Sequence, residues 1–132
     1  MNWLFKEEPS HYSFEQLRKD GGTVWSGVRN PLAQKHLGAV RKGDRIFYYH
    51  TGNEKAIVGT ARATSDAYRE SGDGAFVVDV KAAAPLPHPV TLADIKASGR
   101  FASFPLVRLP RLSVMPVSDD EWTRLEAMAE GR

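Results

Sequence analysis

The chain has 132 residues, no cysteine, 42% hydrophobic and 26% charged residues, and a formal net charge of +2. This length fits one domain with a single core, the composition is that of a globular rather than a disordered protein, and the lack of cysteine excludes disulfides, thiolate metal sites and a cysteine nucleophile. So small a net charge argues against binding long nucleic acid through backbone charge alone, and it favours a pocket if the partner is a nucleic acid.

The amino terminus predicts neither a signal peptide nor a membrane anchor. Charged residues follow directly after the apolar residues 3–5, and no apolar run approaches the ~20 residues of a transmembrane helix. A chain without cysteine also suits a reducing compartment. We therefore expect a soluble cytoplasmic protein that is not bound to a membrane.

The amino-terminal third predicts a short strand followed by two helices. Residues 3–5 are apolar and aromatic, which favours a strand. Ser13 and Gln16 have the spacing of a capping box and predict a brief helix that ends at a pair of glycines. A second helix begins at Pro31, because apolar residues then recur at i, i+4 and i+7, and it ends before the turn at 42–44.

The middle of the chain predicts most of the strands. Aromatic and β-branched residues predict strands over 45–50, 57–64 and 76–80. Gly72-Asp73-Gly74 predicts a turn before the third of these strands. The prolines between 85 and 89 then predict an extended connection.

The carboxy-terminal third predicts two helices separated by a proline-rich segment. A short helix is expected over 92–97, and prolines confine 106–117 to edge or bulged strands. Ser118 and Glu121 predict a capping box for the last helix, in which Trp122 faces the core. Short strands with helices inserted between them predict an α+β fold with a partly open β-barrel.

Residues 24–31 suggest how the protein binds a ligand. Trp25 can offer a flat apolar wall, Gly27 lets the backbone pass close by, and the Asn30 amide carries donors and acceptors, which suits a planar, hydrogen-bonding ligand. The structural alternative is that Trp25 belongs to the core and that Asn30 caps the helix beginning at Pro31. The residues alone leave both interpretations open.

The wider pattern resembles an EVE domain over nearly the whole chain. The residues that carry the resemblance are, in order, Trp3-Leu-Phe-Lys-Glu-Glu-Pro9, Tyr12-Ser13, Leu17, Trp25-Ser-Gly-Val-Arg-Asn30, Ala33, Leu37, Gly43-Asp44, Tyr48-Tyr-His-Thr51, Ile57-Val-Gly59, Val107-Arg108, Arg111-Leu-Ser-Val114 and Pro116-Val117. EVE domains belong to the PUA-like superfamily, which also holds the YTH domains that read methylated adenine in RNA. The resemblance implies a single PUA-like pseudo-barrel domain over residues 1–132, with an aromatic-walled pocket for a modified nucleobase of RNA or DNA.

The residues and the resemblance together give a set of candidate site positions. The candidate ligand-binding residues are Trp3, Trp25, Gly27, Val28, Arg29, Asn30, Tyr49, His50, Thr51 and Ser113. Basic residues expected at the rim are Lys6, Lys35, Arg108 and Arg111, joined by Arg41, Lys42 and Arg45 if these segments lie together. Strand alternation places Tyr48 and Tyr49 on opposite faces, and the sequence leaves open which of them meets Trp25.

For Arg29 and His50, the sequence leaves open a structural role instead of a ligand contact. Arg29 either pairs with a phosphate or braces its loop through backbone carbonyls and a carboxylate. His50 either contacts the ligand or is a hydrogen-bonded structural histidine.

The sequence predicts neither a metal site nor an enzyme. Its four histidines lack metal-ligand spacing, and hydrolase, Walker and dinucleotide motifs are absent. Glu7 and Glu8 are adjacent on a strand and therefore point to opposite faces. We expect a monomeric reader of nucleic acid that carries a modified base, without cofactor or metal. The alternatives are a nucleic-acid hydrolase that would use His50, Tyr49 or Glu8, and a domain for a small metabolite or a protein partner.

Overall fold

The computed structural model describes residues 1–72 and 74–131, which form seven strands and five helices. The strands are β1 (Asn2–Glu7), β2 (Thr23–Trp25), β3 (Arg45–His50), β4 (Ala56–Ala63), β5 (Tyr68–Arg69), β6 (Phe76–Thr91) and β7 (Val114–Val117). The helices are α1 (Phe14–Asp20), α2 (Pro31–Leu37), α3 (Leu92–Ser98), α4 (Pro105–Arg108) and α5 (Asp119–Ala129). None of these described helices has the length and apolar character needed to cross a membrane.

The strands form one mixed sheet. Six of them follow the order β2-β6-β4-β3-β1-β7, and the short β5 pairs with β6 outside this path. β1 and β3 are parallel, whereas the other pairs are antiparallel. Register shifts interrupt the β3–β4 and β4–β6 ladders, and such irregularities bend a sheet. The curled sheet with its short helices confirms the predicted α+β, partly open barrel.

Aromatic side chains cover both faces of the central strand β3. On one face, Phe14 of α1 and Trp25 of β2 pack edge-on against Tyr48, with ring centroids 5.5 Å and 5.4 Å from it. On the other face, Trp122 of α5 stacks on Phe47 with 3.6 Å between the centroids. Trp122 is 2% exposed, which confirms its predicted place in the core.

Local capping signals set the starts of the helices. Ser118 and Glu121 form the complete predicted capping box of α5. Ser13 accepts a hydrogen bond from the Gln16 N–H at the start of α1. The Gln16 side chain donates to Asp20 rather than back to the cap, so only half of this predicted box is present.

The structure corrects the sequence prediction in the proline-rich segments. Residues 106–117 do not form a strand throughout, since α4 begins at Pro105, where the missing N–H of proline costs no hydrogen bond. Only β7 is a strand, and it lies at the sheet edge as predicted. The prolines between 85 and 89 lie within β6, because their fixed φ suits extended chain and this part of β6 pairs only with β4 among the described strands. Asp73, in the predicted turn before β6, lies outside the described residues.

Candidate functional site

The loop of residues 26–30 joins β2 to α2 and ends in the amide at the centre of the predicted site. Gly27 has φ +76°, a left-handed conformation that glycine adopts without steric cost. Asn30 is the N-cap of α2, and its Oδ1 accepts a hydrogen bond from the Ala33 N–H at 3.0 Å. The capping role left open by the sequence is therefore present. It uses the oxygen alone, because the Asn30 NH₂ group has no hydrogen-bond partner among residues 1–72 and 74–131.

Gln34 of α2, which the sequence did not single out, holds this loop in place. Its Nε2 donates to the carbonyl oxygens of Val28 at 2.8 Å and of Phe76 at 3.1 Å. Its Oε1 accepts from the Phe76 N–H at 2.8 Å. One side-chain amide thus joins α2 to the loop and to β6. Nothing in a helical sequence pattern distinguishes such a glutamine from a solvated one.

A cavity of about 300 Å³ lies between the start of α2 and the segment that joins α4 to β7. Its lining residues are Asn30, Leu32, Arg108, Leu109, Pro110, Arg111 and Leu112. Leu32 and Leu109 are 41% and 44% exposed, so the cavity opens through an apolar rim. The walls described are aliphatic and cationic rather than aromatic. The volume matches the lower end of the range for small-ligand sites, about 300 to 1,000 Å³.

Lys6 connects the end of β1 to the segment that lines this cavity. Its Nζ donates to the Pro110 carbonyl oxygen at 2.9 Å, and its backbone N–H donates to the Ser113 carbonyl oxygen, also at 2.9 Å. Nζ lies 5.6 Å from the centroid of the Tyr49 ring. Partial burial lowers the pKa of the Lys6 ammonium. Lys6 and Ser113 thus position residues 110–113, while the Tyr49 hydroxyl has no hydrogen-bond partner in the described part of the chain.

Trp25 is packed in the core. The residue is 6% exposed, and its ring centroid lies 5.3 Å from that of Phe5 and 5.4 Å from that of Tyr48. Trp25 therefore meets the Tyr48 face of β3, and strand alternation directs Tyr49 to the other face. Trp25 is not among the residues lining the cavity at Asn30. Its stacking role stays a prediction.

His50 is hydrogen-bonded on both ring nitrogens. Nε2 accepts from the Phe14 N–H at 3.0 Å, so the proton of a neutral ring is on Nδ1, which lies 2.9 Å from Glu54 Oε1. The residue is 8% exposed. His50 therefore holds α1 against β3 as a structural histidine. No group of three or more His, Asp or Glu side chains within the described residues is arranged to hold a metal ion.

Two other predicted positions also bond within the protein. Trp3 is 2% exposed, and its Nε1–H donates to Asp44 at 2.8 Å. Thr51 Oγ1 donates to Glu8 at 3.3 Å. The structure thus does not bring these two residues to the cavity at Asn30.

The predicted basic rim is divided between two regions. Arg108 and Arg111 line the cavity. Arg29 and Lys35 are exposed and make no hydrogen bond or ion pair through their side chains to other described residues, so no brace is formed by Arg29. The remaining predicted rim residues, which lie at the start of β3 and just before it, are Arg41, Lys42 and Arg45.

Sequence comparison assigns the chain to a known family. The family model of the EVE domain matches residues 1–128. The chain belongs to the EVE domain family. Human thymocyte nuclear protein 1 is 25% identical to it over 166 aligned positions, which cover 98% of this chain and 74% of that protein.

Solved structures agree with this assignment. A Rhodopseudomonas palustris protein solved by NMR is 44% identical to this EVE domain with a TM-score of 0.92, over 98% of this chain and 92% of that one. The human THYN1 protein in complex with DNA containing 5-methylcytosine is 26% identical with a TM-score of 0.88, over 98% and 97% of the two chains. The family and the PUA-like pseudo-barrel predicted from sequence are both confirmed.

Proposed function

We propose that this EVE domain binds a modified nucleobase in DNA or RNA and leaves it chemically unchanged. The observation that carries the proposal is the human relative in complex with DNA that contains 5-methylcytosine, which matches this chain over 98% of its length. Methylated cytosine is therefore the first ligand to test. The base would enter flipped out or from a single strand, because its edge is otherwise occupied in the duplex.

The chemistry of the cavity at Asn30 suits such a base. The Asn30 oxygen is occupied by the Ala33 N–H, so the amide offers its NH₂ donors. The carbonyl oxygen and ring nitrogen of a pyrimidine are acceptors that these donors can meet. Leu32 and Leu109 supply aliphatic contact for a methyl group.

Arg108 and Arg111 are the proposed phosphate contacts of the bound nucleotide. Both line the cavity and so lie within reach of groups attached to a base held there. Arginine forms charge-assisted, often bidentate hydrogen bonds with phosphate oxygens. These contacts would add affinity without distinguishing a modified base from a plain one.

We also propose that Trp25 becomes a wall of the occupied site. A base stacked on an aromatic ring gains roughly 1–3 kcal/mol. Because the ring packs against Phe5 and Tyr48, a base would contact it only after the loop of residues 26–30 shifts outward. Gly27, in that loop, has no atom within 4 Å of where a Cβ would lie, so this side of the loop is not packed against other residues.

The environment of the candidate catalytic residues supports binding rather than hydrolysis. Both His50 nitrogens are engaged, by Phe14 and by Glu54, which leaves neither free to take a proton from water. Burial raises the pKa of the Tyr49 phenol, so this group stays protonated at neutral pH and is unsuited to act as a base.

A thermal-shift series with free nucleosides tests the proposed function. The wild-type protein is heated with plain and methylated cytidines and adenosines of both the ribose and the deoxyribose series. A selective increase in melting temperature with a methylated nucleoside is expected. Mass spectrometry of an oligonucleotide incubated with the protein distinguishes a reader from a hydrolase, because a reader leaves the mass of the oligonucleotide unchanged. An equal response to plain and methylated nucleosides, or an altered oligonucleotide mass, would contradict the proposal.

A further inference from the structure

We propose that a second surface of this domain, distant from the cavity at Asn30, binds the phosphodiester backbone of nucleic acid. The surface is a cation row formed by Arg45 of β3, Arg62 of β4 and Lys81 of β6. Arg45 is directly opposite Arg62, and Arg62 is directly opposite Lys81. Residues directly opposite each other in neighbouring strands share a face of the sheet.

The hydrogen-bond partners of the cation row do not neutralise its charge. Arg45 Nε donates to Asn2 Oδ1 at 3.0 Å, and Arg62 Nη1 donates to the Gly43 carbonyl oxygen at 3.1 Å. These acceptors are neutral, so they position the guanidinium groups without cancelling their charge. Within residues 1–72 and 74–131, none of the three forms a salt bridge. Like charges opposed across strands destabilise a sheet, and a bound polyanion would remove that cost.

Two adjacent cavities flank Arg62 and give the cation row a concave surface. The smaller has a volume of about 160 Å³ and the larger about 420 Å³, and Arg62 lines both. Lys42 lines the larger cavity together with Arg62 and Lys81, and Arg45 lines the smaller one. Among the described lining residues of the two cavities, Glu126 is the single carboxylate. The residues that line the two cavities thus carry four positive charges and one negative charge, whereas the whole chain carries a net charge of only +2.

The smaller cavity is also lined by a tryptophan whose N–H has no acceptor among the described residues. Trp122 lines it, and its buried Nε1–H has no hydrogen-bond partner in the described part of the protein. Buried donors in folded proteins nearly always have one. The Arg45 guanidinium lies 4.4 Å from the Trp122 ring centroid and covers it.

The dimensions of the cation row suit a nucleic-acid strand. Neighbouring strands lie ~4.8 Å apart, so the row spans roughly 10 Å across three strands. That length corresponds to about three nucleotides of a duplex strand at 3.4 Å each. The choice of nucleic acid as the partner rests on the proposed function.

The cation row and the cavity at Asn30 lie at opposite ends of β1. On β1, Asn2 pairs with Arg45, whereas Lys6 supports the cavity from the other end of the strand. Four residues of extended chain separate these positions, roughly 13 Å at ~3.3 Å per residue. A polymer whose base occupies the cavity would reach the row only with phosphates some nucleotides away.

A pair of charge-matched double variants tests the cation row. Arg62→Gln with Lys81→Gln removes two of its charges, and Lys96→Gln with Arg100→Gln removes two exposed charges elsewhere. Each protein is titrated at several salt concentrations with two DNA duplexes of the same sequence, one of which carries 5-methylcytosine. For the row variant, the slope of log affinity against log salt should become shallower by about 1.8, at ~0.9 for each lost phosphate contact. The control variant should keep the wild-type slope.

Further readouts separate the row from the pocket. The row variant should keep the wild-type melting transition, the preference for the methylated duplex and the affinity for free methylated nucleoside. Glu126→Gln, which removes the one carboxylate, should tighten duplex binding. If the row variant and the control variant have equal slopes, the row does not bind the backbone, whatever the pocket does. If the slope depends on the row but the two duplexes bind equally well, the row stands and 5-methylcytosine is not the base that the pocket reads. If the wild-type protein binds neither duplex, the cation-row proposal falls, whereas the series of free nucleosides tests the proposed function separately.

Discussion

Asn30 has two hydrogen-bonding ends, and the fold uses only one of them. The oxygen accepts from the Ala33 N–H, and the NH₂ group beside the cavity is free among the described residues. Asn30→Asp keeps the acceptor and adds a charge that a helix N-terminus favours, so stability should hold or rise by a few tenths of a kcal/mol. Affinity for the best nucleoside should fall about 10- to 100-fold, or ~1–3 kcal/mol, because the donors are lost. Thermal melting and isothermal titration measure the two effects.

A helix cap that does not line the cavity provides the control for this change. Thr91 caps α3 with its hydroxyl, so Thr91→Asp alters the same kind of position and should leave nucleoside affinity unchanged. Equal affinities of wild type and Asn30→Asp would mean that Asn30 serves as a cap alone.

Trp25 is the second residue whose role can be separated by substitution. Trp25→Phe retains an aromatic ring between Phe5 and Tyr48 but offers a smaller stacking surface. It should weaken nucleoside binding more than its effect on stability explains. Trp122→Phe, in the core on the other face of β3, should lower stability without changing affinity. Nucleoside titration and chemical denaturation of both variants separate the two roles of Trp25. An equal loss of nucleoside affinity in Trp25→Phe and Trp122→Phe would mean that Trp25 serves only in the core.

The sequence predicted the role of a residue well only where its contacts are with residues close to it in the chain. The cap at Asn30 lies within four residues of sequence, and Asn-Pro at a helix start was enough to offer it as one of two interpretations of Asn30. The burial of Trp25 and the hydrogen bond from the Phe14 N–H to His50 involve β1, α1 and β3, whose arrangement no short pattern specifies. The same limit explains why Arg45 was grouped with Arg108 as rim, although the structure places Arg45 over the Trp122 ring.

Helix α2 links the cavity to the core and carries a pH-sensitive residue. The ring of His36, in its last turn, lies 6.3 Å from that of Trp3. Burial, and secondarily the charge of Lys35, lowers the pKa of His36 below its ordinary value of 6.5. The native state then takes up this proton less readily than the unfolded state. The free energy of unfolding should fall as the pH drops from neutral through the window just below 6.5.

His36→Gln should remove this part of the pH dependence. Chemical denaturation from neutral to mildly acidic pH compares it with wild type and with His88→Gln, a substitution at an exposed position of β6. If His36→Gln and His88→Gln follow the same pH curve as wild type, His36 does not contribute to the acid sensitivity.

Among the helices and strands, those with a strong local pattern were predicted correctly. The capping residues predicted where α1 and α5 begin, and the aromatic run predicted the extent of β3. The four-residue helix α4 was missed, because the prolines of residues 105–116 equally predict an edge strand and the choice depends on packing around Leu106. β6 was predicted too short, since only its partner β4 extends the ladder through the prolines.

Two separate regions of the molecule each bring several cations together. Arg108 and Arg111 lie at the cavity, and the cation row of Arg45, Arg62 and Lys81 crosses the sheet elsewhere. A net charge of +2 conceals this arrangement, because carboxylates elsewhere offset it. Sequence composition therefore gave the sum of the charges but not their positions, which depend on strand register.

A titration of matched oligonucleotides tests most directly whether this EVE domain reads a modified base. Wild-type protein is titrated with DNA and RNA pairs that differ only by a methyl group on one cytosine or adenine. Burying one such group contributes about 0.8 kcal/mol, roughly a fourfold gain in affinity. The account predicts at least this preference for one methylated member, and the loss of most of its affinity in Asn30→Asp. Equal affinities for the two members of every pair would contradict it.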